Sequence, residues 1–413
     1  MIRSAKVIAI QDLTLADSLT RKWSRLLLIL TIIVLGGACG RANFDQDPFS
    51  GMALWEENED SVLYVGSGEG RLLAISLPDE QLLWIYPETD QTPLGPVYSP
   101  PAITTDLLYL ATANDNRDIE NKKIDRGVLY AFDHQECAKN PQRCIDSWSF
   151  PDSRALGELG HEVGPLIGGP VVEGETVVVG SSDGSMYAVS ATDGTLAWEF
   201  PTGDKIWSTP TVVGGIVYFG SLDHTVYAVN LADGYPIWSY ETGGAITGTP
   251  LVLDGRLYIG SFDGNLYILD TDTGSDVGVI PLGGWIWAGP TVDATKKTVY
   301  ITTMGGNLYA LDRRGLDRGQ ELEQWLPVPV SGPVLAPPSI LNDRILFTDD
   351  RGVRMVRLDG RTDRREPCTL SSRVRAAVVP YKDLVYLIDD AHDIWVLDTE
   401  TCKPNIVFGL GRN

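Results

Sequence analysis

The carboxylates of Asp270, Asp272 and Asp276 are spaced like the first ligands of a calcium-binding loop. Such a loop also requires a bidentate glutamate at its twelfth position, and that position here is Pro281. The stretch falls where each copy of a repeat in this chain has a turn. We therefore interpret it as a turn and predict no metal site.

Other residues capable of catalysis are sparse. The chain has four histidines, His134, His161, His224 and His392. His224 and His392 occupy turn positions that hold glycine or aspartate in other copies of the repeat, and the pair His161-Glu162 is interpreted as solvated rather than catalytic. The serines of GSSDGS lack the strand, turn and helix that surround a hydrolase nucleophile, and the glycines precede strands rather than the helices of phosphate-binding loops. These residues predict a protein that is not an enzyme.

The cysteines indicate an oxidising compartment. If Cys39 is lipidated, four cysteines remain, and an even number in an exported chain indicates two disulfides with three alternative connectivities. Cys137 and Cys144 bracket one short loop and are predicted to pair, which leaves Cys368 to pair with Cys402. A zinc site is the alternative, but no CxxC spacing or neighbouring histidine favours it.

The N-terminal segment has the order of an export signal. Three basic residues precede a thirteen-residue apolar run at positions 26–38, and Cys39 follows directly. This order resembles a bacterial lipoprotein signal, although Gly36 stands where leucine is usual. We predict a signal peptide over 1–38, a lipidated tether over 39–50 and a lipid anchor on the outer face of a bacterial membrane; which membrane stays open. Ordinary secretion with Cys39 in a disulfide is the alternative.

The formal net charge of −22 argues against a nucleic-acid partner, because phosphate binding requires a basic patch. No uninterrupted apolar run has the length of an ordinary membrane span.

A forty-residue repeat organises the rest of the chain. The interval separates Pro170, Pro210, Pro250 and Pro290. Each unit has alternating apolar runs separated by Asp-Gly turns, a pattern typical of four short antiparallel strands. A four-stranded repeat of this length is typical of a β-propeller blade. We predict an all-β, eight-bladed β-propeller over residues 51–413; seven blades would result if the first or last unit were irregular.

The stretches YAVSATDGTLAW, YAVNLADGYPIW, YILDTDTG and YALDRRG resemble the quinoprotein-type (PQQ-like) propeller repeat. This resemblance implies that a tryptophan late in each unit docks one blade against the next. The matching residues are Trp84, Trp148, Trp198, Trp238 and Trp325, and blade 5 departs with Val279 near that position. Quinone-dependent members are expected to have two adjacent cysteines, which this chain lacks, so we expect no PQQ cofactor.

Residues three before the first-strand proline, which is replaced by Val378 in blade 8, differ between copies and are predicted to surround one mouth of the central channel. We call them the mouth ring: Tyr98, Ile167, Trp207, Thr247, Trp287, Leu335 and Arg375. Tryptophan, tyrosine and arginine dominate binding hot spots, and Trp285 adds a third indole. Two irregular segments, 114–126 and 151–163, are predicted on the same mouth. The alternative is that Trp207 and Trp287 plug the channel as structural residues.

The combination of lipoprotein signal and PQQ-like propeller without quinone ligands resembles the propeller lipoproteins of outer-membrane β-barrel assembly. That resemblance implies a non-catalytic envelope scaffold with a protein partner, acting in outer-membrane protein assembly. The alternative is a module that binds a small ligand or glycan at the aromatic mouth, with a quinoprotein dehydrogenase as a remote alternative.

Overall fold

The protein is described by a computed structural model over residues 51–57, 60–77, 79–113, 126–320, 323–330, 332–349, 352–362 and 368–409. The predicted signal peptide, Cys39 and the tether lie outside these residues. The described residues form eight sheets of consecutive antiparallel strands. The predicted eight-bladed all-β propeller is therefore confirmed, and the seven-bladed alternative is wrong.

Blades 1 to 4 each contain four strands. They are β1 (Gly51–Glu57), β2 (Asp60–Gly66), β3 (Leu72–Ser76) and β4 (Gln81–Tyr86) in blade 1; β5 (Ala102–Ile103), β6 (Leu107–Ala113), β7 (Gly127–Asp133) and β8 (Asp146–Phe150) in blade 2; β9 (Val171–Glu173), β10 (Thr176–Gly180), β11 (Ser185–Ser190) and β12 (Leu196–Pro201) in blade 3; and β13 (Thr211–Val213), β14 (Ile216–Gly220), β15 (Thr225–Asn230) and β16 (Pro236–Glu241) in blade 4.

Blades 5 to 8 follow the same order. Their strands are β17 (Leu251–Leu253), β18 (Arg256–Gly260), β19 (Asn265–Asp270) and β20 (Asp276–Pro281) in blade 5; β21 (Thr291–Val292), β22 (Thr298–Thr303), β23 (Asn307–Asp312) and β24 (Glu323–Pro329) in blade 6; β25 (Ser339–Leu341), β26 (Arg344–Asp349) and β27 (Gly352–Arg357) in blade 7; and β28 (Val379–Tyr381), β29 (Leu384–Ile388), β30 (Asp393–Asp398) and β31 (Lys403–Gly409) in blade 8. Beyond β27, a bridge pairs Val353 with Cys368.

Helices are short. They are α1 (His134–Lys139), α2 (Ser153–Leu159), α3 (Arg313–Leu316) and a 3-10 turn at Pro141–Arg143. In α1 and α3 an aspartate side chain caps the first turn: Asp133 accepts from Glu136 N at 2.7 Å, and Asp312 accepts from Arg314 N at 2.8 Å. Among the residues described, no helix combines the length and apolar character needed to cross a bilayer.

The core lies between blades rather than within one of them. Because neighbouring blades cover both faces of each sheet, the second strand of a blade is buried on both sides; Val177 to Gly180 in β10 are all buried. One cluster packs Val178 and Ala188 of blade 3 against Val217 and Phe219 of blade 4. This arrangement explains why the second strands are nearly continuous apolar runs in the sequence.

Tryptophan and glycine form the repeated contact between blades. Trp198 of blade 3 donates from Nε1 to the carbonyl of Leu231 in blade 4 at 2.8 Å, and a Cβ at Gly234 would lie 2.8 Å from the indole. Glycine is therefore required at position 234 for two reasons: a side chain would collide with the indole, and the φ of +71° also disfavours a residue with a side chain. The contact recurs at Trp148, Trp238 and Trp325. The docking role predicted for these tryptophans is confirmed.

Other junctions use different contacts. Trp84 is buried against the core shared with Cys137 and Cys144 of blade 2, but its Nε1 has no hydrogen-bond partner among the described residues. Where blade 5 lacks the tryptophan, the backbones approach directly: a Cβ at Gly278 would lie 2.3 Å from the Cα of Gly319.

Both predicted disulfides, Cys137–Cys144 and Cys368–Cys402, are present. The second joins blade 7 to blade 8. Cys402 occupies the turn position of Gly234, since each donates its N–H to the carbonyl four residues earlier at 2.9 Å. At this junction a covalent bond therefore replaces the tryptophan–glycine contact.

The first Asp-Gly-type turn of a blade holds the connection that arrives from the preceding blade. Asp223 Oδ2 accepts from Gly203 N and from the hydroxyl of Tyr227, both at 2.7 Å. Asp183 and Asp263 hold equivalent connections in blades 3 and 5. These aspartates, which the sequence predicted only as turn residues, therefore also fix the spacing of the blades.

Alkaline pH is expected to destabilise the propeller through the tyrosines of these turns. Burial, with the hydrogen bond to Asp223, raises the pKa of Tyr227 from 10.0 to about 12. Below pH 10 both folded and unfolded states keep the proton, so this group adds no pH dependence. Between pH 10 and 12 the unfolded state loses its proton first, so the free energy of unfolding falls as pH rises. Urea unfolding across this range measures the effect.

Tyr227→Phe is the matched variant for this titration. Removing the ionisable hydroxyl should make the fall in stability between pH 10 and 12 shallower than in the native protein. An equally steep fall in the variant would show that Tyr227 does not contribute.

Candidate functional site

The mouth ring surrounds one central cavity. All seven of its residues line a space of about 340 Å³, and Met52 contributes from blade 1. Met52 was missed in the sequence because the register of the repeat cannot be read so close to the start of blade 1. The cavity is predominantly lined by apolar side chains, proline and glycine, which is the character of a small-ligand or anchor-residue pocket.

The path of the connections explains why these residues converge. Each connection crosses the mouth side from the last strand of one blade to the first strand of the next. Ile206, Ile246 and Ile286 are fully buried immediately before the mouth-ring residue. A Cβ at Gly220 would lie 2.1 Å from Ile246, so glycine lets the connection lie this close. Because successive side chains of an extended segment point to opposite sides, the next residue faces the mouth.

Two indoles lie across the mouth above blade 5. The rings of Trp207 and Trp287 are 6.4 Å apart and both are half-buried. Thr247 lies between them in sequence, and its hydroxyl donates to the Trp287 carbonyl at 2.8 Å. Trp207 Nε1 donates to Ser182 Oγ at 3.1 Å. The indoles narrow the mouth, and the cavity remains beside them.

Trp285 lies outside the cavity lining but is joined to it through Phe262. Its ring stacks on Phe262 at 5.5 Å with an interplanar angle of 4°, and Phe262 stacks on Trp287 at 5.5 Å and 30°. Phe262 was missed in the sequence. The sequence did contain a signal that could have identified Phe262. The residue after the serine of the first turn differs between blades: it is Ser182 in blade 3, Leu222 in blade 4 and Phe262 in blade 5.

Arg375 is the one charged residue among those that line the cavity. Its Nε lies 3.8 Å from Asp390 Oδ2, and both side chains are about one-quarter exposed. Tyr98 completes the polar part of the ring on the side of blade 2.

The residues that suggested calcium surround a turn: Asp272 lies in the β19–β20 turn, and Asp270 and Asp276 are the strand ends on either side of it. Asp270 ends β19, and its carboxylate accepts from Arg256 at 2.7 Å and from the Thr273 hydroxyl at 3.0 Å. Across the described part of the chain, no group of three or more His, Cys, Asp or Glu side chains is arranged to hold a metal ion.

The histidines are dispersed. His224 and His392 adopt φ of +73° and +63° in turns, as predicted. His134 is buried, and the Tyr64 hydroxyl lies 2.8 Å from its Nδ1. Burial lowers the pKa of His134 and outweighs a hydrogen bond to the Thr104 carbonyl, which raises it.

The pair His161-Glu162 is exposed, as predicted, but its side chains have separate partners. His161 Nε2 lies 3.2 Å from Glu199, and Glu162 pairs with Arg126. Hydrogen bonding to the Glu162 carbonyl and the nearby Glu199 and Asp183 raise the pKa of His161. The segment 151–163 ends beside the β6–β7 connection, where Gly127 N donates to the Val163 carbonyl at 3.1 Å. Most of the segment 114–126 lies outside the described residues.

The family model described as outer membrane protein assembly factor BamB matches residues 146–284. No curated protein matches the chain in sequence. The crystal structure of BamB from Moraxella catarrhalis superimposes with a TM-score of 0.63 at 17% identity, covering 83% of this chain and 95% of that chain. The crystal structure of the computationally designed Ika8 protein superimposes with a TM-score of 0.64 at 14% identity, covering 85% and 96%.

The fold and the repeat define the class: this chain is an eight-bladed β-propeller of PQQ-like repeats. It resembles the outer membrane protein assembly factor BamB.

Proposed function

We propose that the protein is a non-catalytic scaffold of the bacterial envelope that binds a protein partner at its mouth ring and acts in outer-membrane protein assembly. The observation that carries the proposal is the convergence of seven residues of six different types on one cavity of about 340 Å³. The aspartates and tryptophans that recur between blades are bound to the scaffold itself, whereas the mouth ring is where the copies differ. Similarity to BamB supports the assembly role.

Anchoring is the second part of the proposal. We propose that Cys39 carries lipid, that residues 1–38 are removed and that 39–50 tether the propeller to the outer face of a membrane. Cys39→Ser should release the protein from the membrane fraction. A variant that stays membrane-bound, with an unmodified Cys39 in the native protein, would contradict lipid anchoring.

Site-specific photo-crosslinking in cells tests the partner. A crosslinker at Leu335 faces the mouth, and a crosslinker at Tyr235 provides the control. Tyr235 is 72% exposed and lies in the β15–β16 turn, at the opposite end of the strands from the mouth. We expect the mouth position alone to capture one abundant envelope partner, identified by mass spectrometry. No capture from mouth positions would reject the proposal.

The triple variant W207A/W287A/R375A separates a binding mouth from a structural plug. Trp207, Trp287 and Arg375 are all only half-buried, so we expect the melting temperature to fall by no more than about 4 °C. The yield of the crosslinked partner should fall about tenfold or more, the loss expected of hot-spot residues. A large fall in melting temperature would instead assign these side chains a plug role.

A small ligand or glycan is the second candidate, favoured by the stacked rings of Trp285, Phe262 and Trp287 beside the cavity. Saccharides that protect tryptophan fluorescence from quenching, without protein capture from Leu335, would favour it. We expect no quinone cofactor and no enzymatic activity, and the visible absorption spectrum of protein purified from its native membrane checks the former.

A further inference from the structure

Blade 6 departs from the repeat on the mouth side. Gly305 stands where blades 3, 4 and 5 have the aspartate that holds the connection. Trp285 stands where the connections into blades 4 and 5 have Lys205 and Ala245. Gly283-Gly284 repeats the Gly243-Gly244 pair of the connection into blade 5, and Met304 is also uncharged. The mouth-side loops of blade 6 therefore have no charged side chain.

We call this surface the blade 6 platform: Phe262, Gly283, Gly284, Trp285, Met304 and Gly305. Trp285 is 56% exposed although one face of its ring stacks on Phe262. A Cβ at Gly284 would lie 2.8 Å from the Cα of Gly305, so the two loops touch through backbone alone. An added Cβ at Gly283 would meet nothing within 4 Å. The platform therefore combines an exposed indole with backbone that a partner can approach closely.

The platform is continuous with the cavity. Phe262 stacks on Trp285 on one side and on Trp287 on the other, and Trp287 meets Trp207. Four aromatic rings therefore run from an exposed loop to the cavity wall. This length suits an extended segment whose side chains lie on the aromatic rings, more than a ligand confined to the cavity.

Negative charge flanks the platform on the side of blades 4 and 5. The mouth-side loops there, with the last residue of β16, carry four carboxylates and one ammonium group: Asp204, Asp223, Glu241, Asp263 and Lys205. Partial burial of Asp263 opposes its ionisation, but hydrogen bonds from Tyr267 and Asn265 outweigh burial and lower the pKa of its carboxyl. Arg373 and Arg375 lie farther round the mouth, in the connection into blade 8. A segment leaving the platform toward blades 4 and 5 meets net negative charge.

The side chains of the platform favour a protein segment over a sugar. Sugar hydroxyls require several convergent polar groups, and the Trp285 ring nitrogen is the single polar side-chain atom on the platform. Apolar side chains require apolar area and close backbone approach, and both are present.

We infer that the blade 6 platform docks an extended partner segment that has apolar anchor side chains and basic flanking residues, with its anchors directed toward the cavity. This inference rests on the proposed scaffold function and adds the chemistry of the partner and the side of the mouth from which it approaches.

Binding of three synthetic peptides to the purified full-length protein, followed by fluorescence anisotropy, tests the inference. The first has a Leu-Phe-Pro-Leu core with lysine flanks, the second has the same core with glutamate flanks, and the third has lysine flanks around a serine core. We expect the first to bind about tenfold more tightly than either other peptide. Its affinity should fall as salt rises.

Three variants locate the binding. Trp285→Ala should weaken the first peptide about tenfold or more, and Tyr235→Ala, an exposed aromatic at the opposite end, should leave it unchanged. The double variant D204N/E241Q should weaken the first peptide and reduce its salt dependence. Equal binding of the glutamate-flanked peptide, no effect of Trp285→Ala, or self-association through Trp285 would each overturn the inference.

Failure of the inference is distinguishable from failure of the proposed function. If Leu335 captures a partner in cells while a crosslinker at Met304 does not and the peptides show no preference, the scaffold function stands and the platform is not its docking point. If no mouth position captures a partner, the proposed function itself fails.

Discussion

Trp198→Ala is expected to lower the free energy of unfolding by about 3–5 kcal/mol, the range for deleting a buried large aromatic side chain. Trp198 is 8% exposed, its Nε1 donates to Leu231 at 2.8 Å, and its ring covers Gly234. The alanine would leave a cavity between blades 3 and 4 and an unpaired carbonyl. Urea unfolding followed by far-UV circular dichroism measures the loss.

Trp285→Ala is the matched control, because it removes the same side chain from an exposed position. It should change stability by no more than about 0.5 kcal/mol. Equal losses for the two variants would show that the tryptophan–glycine contact is not what couples blades 3 and 4.

Removing the Cys368–Cys402 disulfide in the double variant C368S/C402S is expected to cost about 4 kcal/mol, from the chain entropy released in the unfolded state. The two cysteines are 34 residues apart. No tryptophan–glycine contact is expected to offset this loss, because the disulfide stands where blades 2, 3, 4 and 6 have tryptophan on glycine. Urea unfolding under non-reducing conditions gives the comparison with the native protein.

C137S/C144S is the control for loop length. These cysteines are 7 residues apart, so the same entropy argument predicts a smaller cost of about 2.5 kcal/mol. A larger loss of stability for this pair than for Cys368–Cys402 would contradict the entropy argument. Adding a reducing agent should not change the stability of a variant that lacks all four of these cysteines.

The propeller could be predicted from the sequence because each blade is specified by a short local pattern, and that pattern is repeated along the chain. The forty-residue interval between Pro210 and Pro250, together with period-two alternation between turns, is sufficient for the blade and its register. The tryptophan–glycine contact was predictable in role, but its partner was not: that Trp198 covers Gly234 depends on the angle between neighbouring blades, which no single repeat encodes.

The mouth was predictable in position but only partly in contacts. Counting three residues before each first-strand proline, or before Val378 in blade 8, identifies residues that line one cavity. Each connection follows the same path over one buried aliphatic residue: Val97, Leu166, Ile206, Ile246, Ile286, Val334 or Val374. The stack from Trp285 through Phe262 to Trp287 was not predictable, since it joins a turn of blade 5 to the connection into blade 6. Pairs of this kind depend on lateral distances between blades.

The ring closes without any exchange of strands between its ends. Residues 51–86 complete blade 1 and residues 379–409 complete blade 8, and the seam is a shared core that includes Met52, Leu73, Trp395 and Val396. We therefore expect the fold to tolerate circular permutation, because a permutant that opens in the connection between two other blades would keep every blade as one uninterrupted stretch. The order of the blades along the chain determines which two blades meet at the seam. The contacts between neighbouring blades around the ring do not depend on where the seam lies.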